Sequence, residues 1–194
     1  FWNLYYEYKI IEVEVKILKK FVSIIGIIIV FFIIYFLQIN FFNWFNISGI
    51  KPNLFIILIL CIGLFIGKKV AIPLGIILGI YLDVLTSKQV GISAIAFALI
   101  GFLGGYLDKN FSKDSKITIL LMVTGSTIIF ETISYIYSCA RYNVSAQILG
   151  FIRILLIEII FNVLLTIIIY PLIKSTGSFL EDTFKKKKFL TRYF

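Results

Sequence analysis

The chain has 194 residues, of which 60% are hydrophobic and only 15% are charged, and its mean hydropathy is +1.03. A soluble domain of this length needs more polar surface than such a composition provides, so we expect an integral membrane protein. The formal net charge is +9, but the lysines cluster beside hydrophobic runs, which indicates anchoring to anionic lipid headgroups and not nucleic-acid binding.

Six apolar runs in chain order predict an all-α membrane domain, a single bundle of about six transmembrane helices. The predicted spans are 21–39, 54–67, 70–86, 91–107, 117–139 and 147–173. The second to fourth runs have roughly 14 to 17 residues, fewer than the about 20 of a full crossing. Short spans of this kind are tolerated where neighbouring protein covers the backbone.

The predicted organisation has three parts: an N-terminal cytoplasmic segment (1–20), the membrane domain (21–173) and a basic cytoplasmic tail (174–194). The first segment is aromatic at its start and then alternates acidic and apolar residues at 12–15. It is not a signal peptide, because the apolar run after it is too long and lacks a small-residue cleavage site. One interpretation is that translation begins near Val15 and that the earlier residues are a mis-called extension.

The distribution of basic residues predicts that both termini lie in the cytoplasm, because cytoplasmic loops are enriched in Lys and Arg. In this orientation the outer loops carry only Lys51, Lys88 and Arg141. The inner segments carry Lys9, Lys16, Lys19, Lys20, Lys68, Lys69, Lys109, Lys113, Lys116, Lys174, the run 185–188 and Arg192.

The sequence gives no sign of catalysis or of metal binding. It contains no histidine, which removes the commonest general base and the commonest metal ligand. Cys61 and Cys139 are spaced as neither a zinc site nor a redox pair. No nucleophile paired with a base and no phosphate-binding glycine loop is present, so we expect no catalytic residue, no metal and no cofactor.

Small residues recur at helical spacing in the third and fourth spans. They are Gly75 and Gly79 in the third span and Ala94, Ala98, Gly101 and Gly105 in the fourth. Steps of three and four place them on one stripe, which lets another helix approach closely. The stripe predicts either packing within the chain or an intermolecular helix interface.

Polar side chains inside apolar spans are costly and need partners or a watery cavity. The candidates are Asp83, Glu131, Arg153, Glu158 and Asn162. Glu131 and Arg153 lie equally far from the turn near Tyr142, so they could form an ion pair. Asn162 is one turn beyond Glu158 on the same face and could be its hydrogen-bond partner. Asp83 ends its span and could reach the headgroups. These residues either pair with one another and fix the register of the helices, or form a polar pocket between the third, fifth and sixth spans.

Several motifs resemble the family of the rod shape-determining protein MreD. They are Pro52-Asn53-Leu54, the segment 75–86, Gly91-Ile92-Ser93-Ala94, the segment 96–105, Asn162 and Tyr170-Pro171-Leu172. The resemblance implies a multi-pass protein of the bacterial cytoplasmic membrane that belongs to the cell-elongation machinery. It also implies a similarity in architecture to the S components of energy-coupling-factor vitamin transporters.

The resemblance implies a non-enzymatic scaffold whose partners are an MreC-like protein and, through it, MreB, RodA and a class B penicillin-binding protein. We expect helix-face packing against partner helices, with the small-residue stripe and Gly91 as a candidate surface. Asp83 either orients the turn after the third span or meets a partner at the outer surface. The alternative is a substrate-binding subunit of a small-molecule transporter. That function would need Glu131, Arg153, Glu158 and Asn162 to face a cavity.

Overall fold

The computed structural model describes residues 2–44, 46–86, 90–108, 115–142 and 147–185. Within these ranges the chain forms six α-helices, and the all-helical fold predicted from the sequence is confirmed. They are α1 (Trp2–Phe36), α2 (Leu54–Ile66), α3 (Lys68–Leu85), α4 (Ile92–Leu107), α5 (Lys116–Tyr142) and α6 (Ile148–Phe184). A π-helical turn, Leu37–Phe41, extends α1.

Helix α2 forms the centre of the bundle. Eleven of its 13 residues are buried, and it contacts each of the other five helices. This burial follows from its sequence, which is apolar on every side and therefore has no face suited to water. The helix is only about 20 Å long, less than the about 30 Å of a bilayer core, and surrounding protein covers its ends.

Three helical stretches are long and apolar enough to cross a membrane: Lys9–Phe41, Lys116–Tyr142 and Ile148–Phe184. Helices α2 and α4 are apolar but shorter, while α3 carries two lysines at its start and an aspartate near its end. Large apolar side chains such as Ile77, Leu121 and Ile168 are more than 60% exposed on the outside of the bundle. This apolar exterior is the surface expected of helices that face lipid.

The two ends of the bundle differ in their loops and charges. We call the end formed by residues 46–53, Thr86 and Gln147 the Pro52 end, and the opposite end, formed by Gly67, Asp108 and Lys185, the Lys185 end.

The first and last helices are longer than the apolar runs predict. Helix α1 begins at Trp2, so the segment 1–20 is continuous in structure with the first span. Helix α6 continues past residue 173 to Phe184. Neither extension contains proline, and a helix that has already been nucleated in an apolar run can continue through polar residues.

Candidate functional site

The turn between α3 and α4 is organised by Asp83. Its side chain is completely buried, and Oδ2 accepts hydrogen bonds from the backbone N–H groups of Gly91 at 2.8 Å and Ser93 at 3.2 Å. The carboxylate thus satisfies donors at the N-terminus of α4, where a negative charge is also favoured. Gly91 has φ +113°, a conformation that side-chain-bearing residues rarely adopt.

This placement excludes one of the roles expected for Asp83. Because its side chain is fully buried, it does not extend to the headgroups, and a partner could not contact it without opening the turn. The other role predicted for Asp83, orientation of the turn after the third span, is compatible with its two hydrogen bonds.

The small-residue stripe lies where α3 and α4 cross, and we call this contact the small-residue seam. Its members are Gly75, Gly79, Ala94, Ala98, Gly101 and Gly105. A Cβ atom on Gly79 would lie 2.5 Å from Cα of Ala94, and one on Gly75 would lie 2.8 Å from a backbone oxygen of α4. Of the two interpretations of the stripe, the structure therefore shows packing within the chain.

A second close approach, between α2 and α4, was not recognised in the sequence. A Cβ on Gly63 would lie 2.7 Å from the carbonyl oxygen of Gly101, and one on Gly104 would lie 2.9 Å from that of Leu60. The signal that could have revealed it is Gly104 beside Gly105, which gives α4 small residues on two adjacent faces. Helix α4 can therefore lie close to α2 and α3 at the same time.

Asn162 links three elements at the centre of the bundle. Its side chain is fully buried; Oδ1 accepts a 2.7 Å hydrogen bond from the backbone N–H of Asn53, and Nδ2 donates to Oγ1 of Thr127 at 3.0 Å. Asn162 on α6 thereby holds the start of α2 and the middle of α5. The sequence predicts Glu158 as its partner, but these two bonds join Asn162 to other helices.

A cavity of about 690 Å³ opens at the Pro52 end. It lies between the π-helical turn, the loop that precedes α2, and helices α5 and α6. The charged and amide side chains that line it are Gln38, Lys51, Asn53, Glu131, Arg153 and Glu158. The sequence predicts a pocket among the third, fifth and sixth spans. The observed cavity lies mainly between α5, α6 and the loop that precedes α2, and Thr86, the residue that follows α3, also lines it.

The structure contains no ion pair between Glu131 and Arg153, both of which lie in described helices. Arg153 instead donates from Nη2 to Oγ of Ser48 at 2.9 Å. Glu131 and Arg153 are equally far from the turn in sequence, and both line the same cavity. The guanidinium of Arg153, however, extends toward Ser48 in the loop that precedes α2. Three of the four residues that the transporter alternative requires line this cavity, while Asn162 is absent from its lining.

At the Lys185 end, the first residue of the lysine run is bound to the bundle. Lys185 Nζ lies 2.5 Å from Oδ2 of Asp108 and 3.6 Å from Oε1 of Glu181, and it donates to the carbonyl oxygen of Leu64 at 2.9 Å. The last bond satisfies a carbonyl near the C-terminus of α2, where a cation is favourable. Lys186, Lys187 and Lys188 lie outside the described residues.

The described side chains include no group of three or more His, Cys, Asp or Glu residues that could hold a metal ion. Cys61 and Cys139 are free thiols.

The family model for the rod shape-determining protein MreD matches residues 19–176 of the chain. This region covers α2 to α5, about half of α1 and most of α6. It includes Asp83, the small-residue seam, Asn162 and the cavity. No curated protein and no solved structure shows a significant match.

Proposed function

Since the chain belongs to the MreD family of rod shape-determining proteins, we propose that it is a scaffold of the bacterial cell-elongation machinery. In this function it lies in the cytoplasmic membrane and helps to organise peptidoglycan synthesis. The observation that carries the proposal is the family match, which covers residues 19–176. The mechanism is non-enzymatic: MreD proteins are not a known enzyme family, and the buried polar residues of α3 and α6 make structural bonds.

The packing of the bundle supports a scaffold with fixed geometry. Helices α2, α3 and α4 approach at backbone distance through glycines, so they cannot slide without meeting backbone atoms. The small-residue seam is occupied by α3 and α4 of the chain itself. Partners would therefore bind to the exposed faces of the outer helices. Helix α1 packs through one buried stripe, Ser23, Ile27 and Phe31, which leaves most of its surface available.

The proposed partners are an MreC-like membrane protein and, indirectly, MreB, RodA and a class B penicillin-binding protein. Both termini are proposed to lie in the cytoplasm, which places the Lys185 end on the cytoplasmic side. The alternative, a transporter subunit, receives no support from the family match.

Affinity capture from gently crosslinked native membranes tests the proposal. The full chain carries a tag, and a second multi-pass membrane protein with the same tag is the control. We expect an MreC-like single-pass protein and wall synthases in the captured material and not in the control. Capture of transporter ATPases with a coupling subunit, and of no wall-synthesis protein, would contradict the scaffold and favour the alternative.

A further inference from the structure

The cavity at the Pro52 end is lined by side chains of both charges. Lys51 and Arg153 are the cations, and Glu131 and Glu158 are the carboxylates. Glu158 is 5% exposed, so a carboxylate lies deep in the cavity. Lys51 and Glu131 are half-buried and Arg153 is exposed. A small molecule that enters the cavity therefore meets side chains of both charges.

The two cations are bound only to neutral oxygen atoms within the described chain. Arg153 donates to the hydroxyl of Ser48 at 2.9 Å, and Lys51 donates to the side-chain oxygen of Asn43. A guanidinium has five N–H donors and an ammonium three. Most of these donors, and both positive charges, remain available to an anionic group in the cavity.

The cavity also has acceptor oxygens without donors. Oδ1 of Asn53 and Oε1 of Gln38 are buried, and no described residue donates to them. Asn53 occupies the N-cap of α2 but makes no side-chain capping bond, although capping is the usual role of asparagine there. Glu131 also makes no hydrogen bond or ion pair with described residues. Buried acceptors without donors are rare in native proteins.

We propose that this cavity binds a zwitterion that carries a primary ammonium and a phosphate, in the form of an aminophospholipid headgroup. The ammonium supplies the N–H donors that Gln38, Asn53 and Glu131 lack, and the phosphate meets Arg153 and Lys51. The volume of about 690 Å³ is typical of a small-molecule site. This assignment does not depend on the scaffold function.

The wall formed by α6 favours a lipid as the source of the zwitterion. Arg153 and Ile154 line the cavity, while Leu149, Ile152 and Leu156 are 85%, 43% and 55% exposed on the same stretch of helix. Acyl chains can therefore lie along α6 while the headgroup enters the cavity. Arg153 lies five residues into α6, about 7.5 Å of helix rise, at a depth that headgroup phosphates reach.

Binding to the purified full chain in detergent tests the proposal by native mass spectrometry and by thermal unfolding. The probes are phosphatidylethanolamine, phosphatidylcholine, phosphatidylglycerol and soluble phosphoethanolamine. We expect phosphatidylethanolamine to bind and to raise the unfolding temperature. Phosphatidylcholine has no N–H donor and phosphatidylglycerol has no cation, so both should bind at least about tenfold more weakly. Equal binding of the three lipids would overturn the assignment.

Soluble phosphoethanolamine distinguishes the source of the ligand. If it binds as tightly as the lipid, the site recognises the headgroup alone and the ligand is a soluble zwitterion. If it binds much more weakly, the acyl chains along α6 contribute and the ligand is a lipid. If neither it nor phosphatidylethanolamine binds, the proposal fails.

Matched variants locate the binding. Glu131→Gln preserves size and removes the charge, and Arg153→Ala removes the cation; each should weaken phosphatidylethanolamine binding about tenfold. The controls are Glu12→Gln and Arg141→Ala, which change exposed charges outside the cavity. Arg153→Gln removes the charge but keeps an amide donor, and it serves if the alanine variant unfolds. Unchanged binding in folded Glu131→Gln and in folded Arg153→Ala or Arg153→Gln would place the lipid elsewhere and overturn the proposal.

Discussion

The side-chain amide of Asn162 on α6 connects this helix to α2 and α5, so one side chain stabilises the packing of three helices. It accepts from the backbone N–H of Asn53 and donates to Thr127. The bond to Thr127 is buried, and the bond from Asn53 is partly buried. Hydrogen bonds between helices in membranes contribute about 0.6 kcal/mol each on average, with a maximum of about 1.7.

Replacement of Asn162 by leucine removes both bonds and leaves the N–H of Asn53 without its acceptor. We expect Asn162→Leu to lower the free energy of unfolding by about 1–3 kcal/mol, measured by detergent-denaturant titration. Thr176→Ala on the same helix is the control, since Thr176 is exposed and bonds only to carbonyls of α6. Equal stability of the two variants would show that Asn162 does not hold the helices together.

Asp83 offers a test of how the α3–α4 turn is held. Asp83→Leu removes the acceptor for the N–H groups of Gly91 and Ser93, and we expect a loss of about 1–3 kcal/mol in unfolding free energy. We also expect weaker capture of partners but normal membrane insertion, since the spans remain apolar. Thr86→Ala, which removes one bond to a carbonyl of α3, is the control. Undiminished partner capture by Asp83→Leu would contradict a link between this turn and assembly.

At the scale of elements, the small-residue seam shows how glycine positions two helices. We expect Gly79→Ala to cost about 1–3 kcal/mol, because the new Cβ would lie 2.5–2.7 Å from backbone atoms of Ser93 and Ala94. Gly125→Ala is the matched control, since a Cβ there meets nothing within 4 Å and alanine favours the helix. The comparison uses thermal unfolding in one detergent. An equal gain in stability from both changes would mean that helix propensity, and not the seam, governs stability.

The elements that the sequence predicts well are those defined by local pattern. Apolar runs locate the six helices, and steps of three and four locate the seam. The ends of α1 and α6 were missed because a helix continues through polar residues when nothing stops it. The contacts that define the cavity could not be predicted either. Asn53 and Asn162 are 109 residues apart, and Ser48 and Arg153 are 105 apart, so spacing carries no information about their pairing.

At the scale of the whole molecule, basic residues gather at one end of the bundle. Lys185 binds there, and Lys20 lies 6.0 Å from the ring of Phe184. Helix α3 begins at the same end with Lys68 and Lys69, and α5 begins there with Lys116. The Pro52 end carries Lys51, Arg141 and Arg153. A membrane protein with this asymmetry inserts with its more basic end in the cytoplasm, so the cavity is expected to open on the outer side.

Cysteine labelling tests this orientation in spheroplasts. In a Cys61→Ala, Cys139→Ser background, single cysteines replace exposed Ser48 at the Pro52 end and exposed Asp182 near the Lys185 end. We expect a membrane-impermeant maleimide to label Ser48→Cys in intact spheroplasts and Asp182→Cys only after lysis, because the basic end stays inside. The reverse pattern would invert the topology and turn the cavity toward the cytoplasm. A headgroup bound there would then come from the inner leaflet, so the same two cysteines also determine which leaflet supplies the ligand.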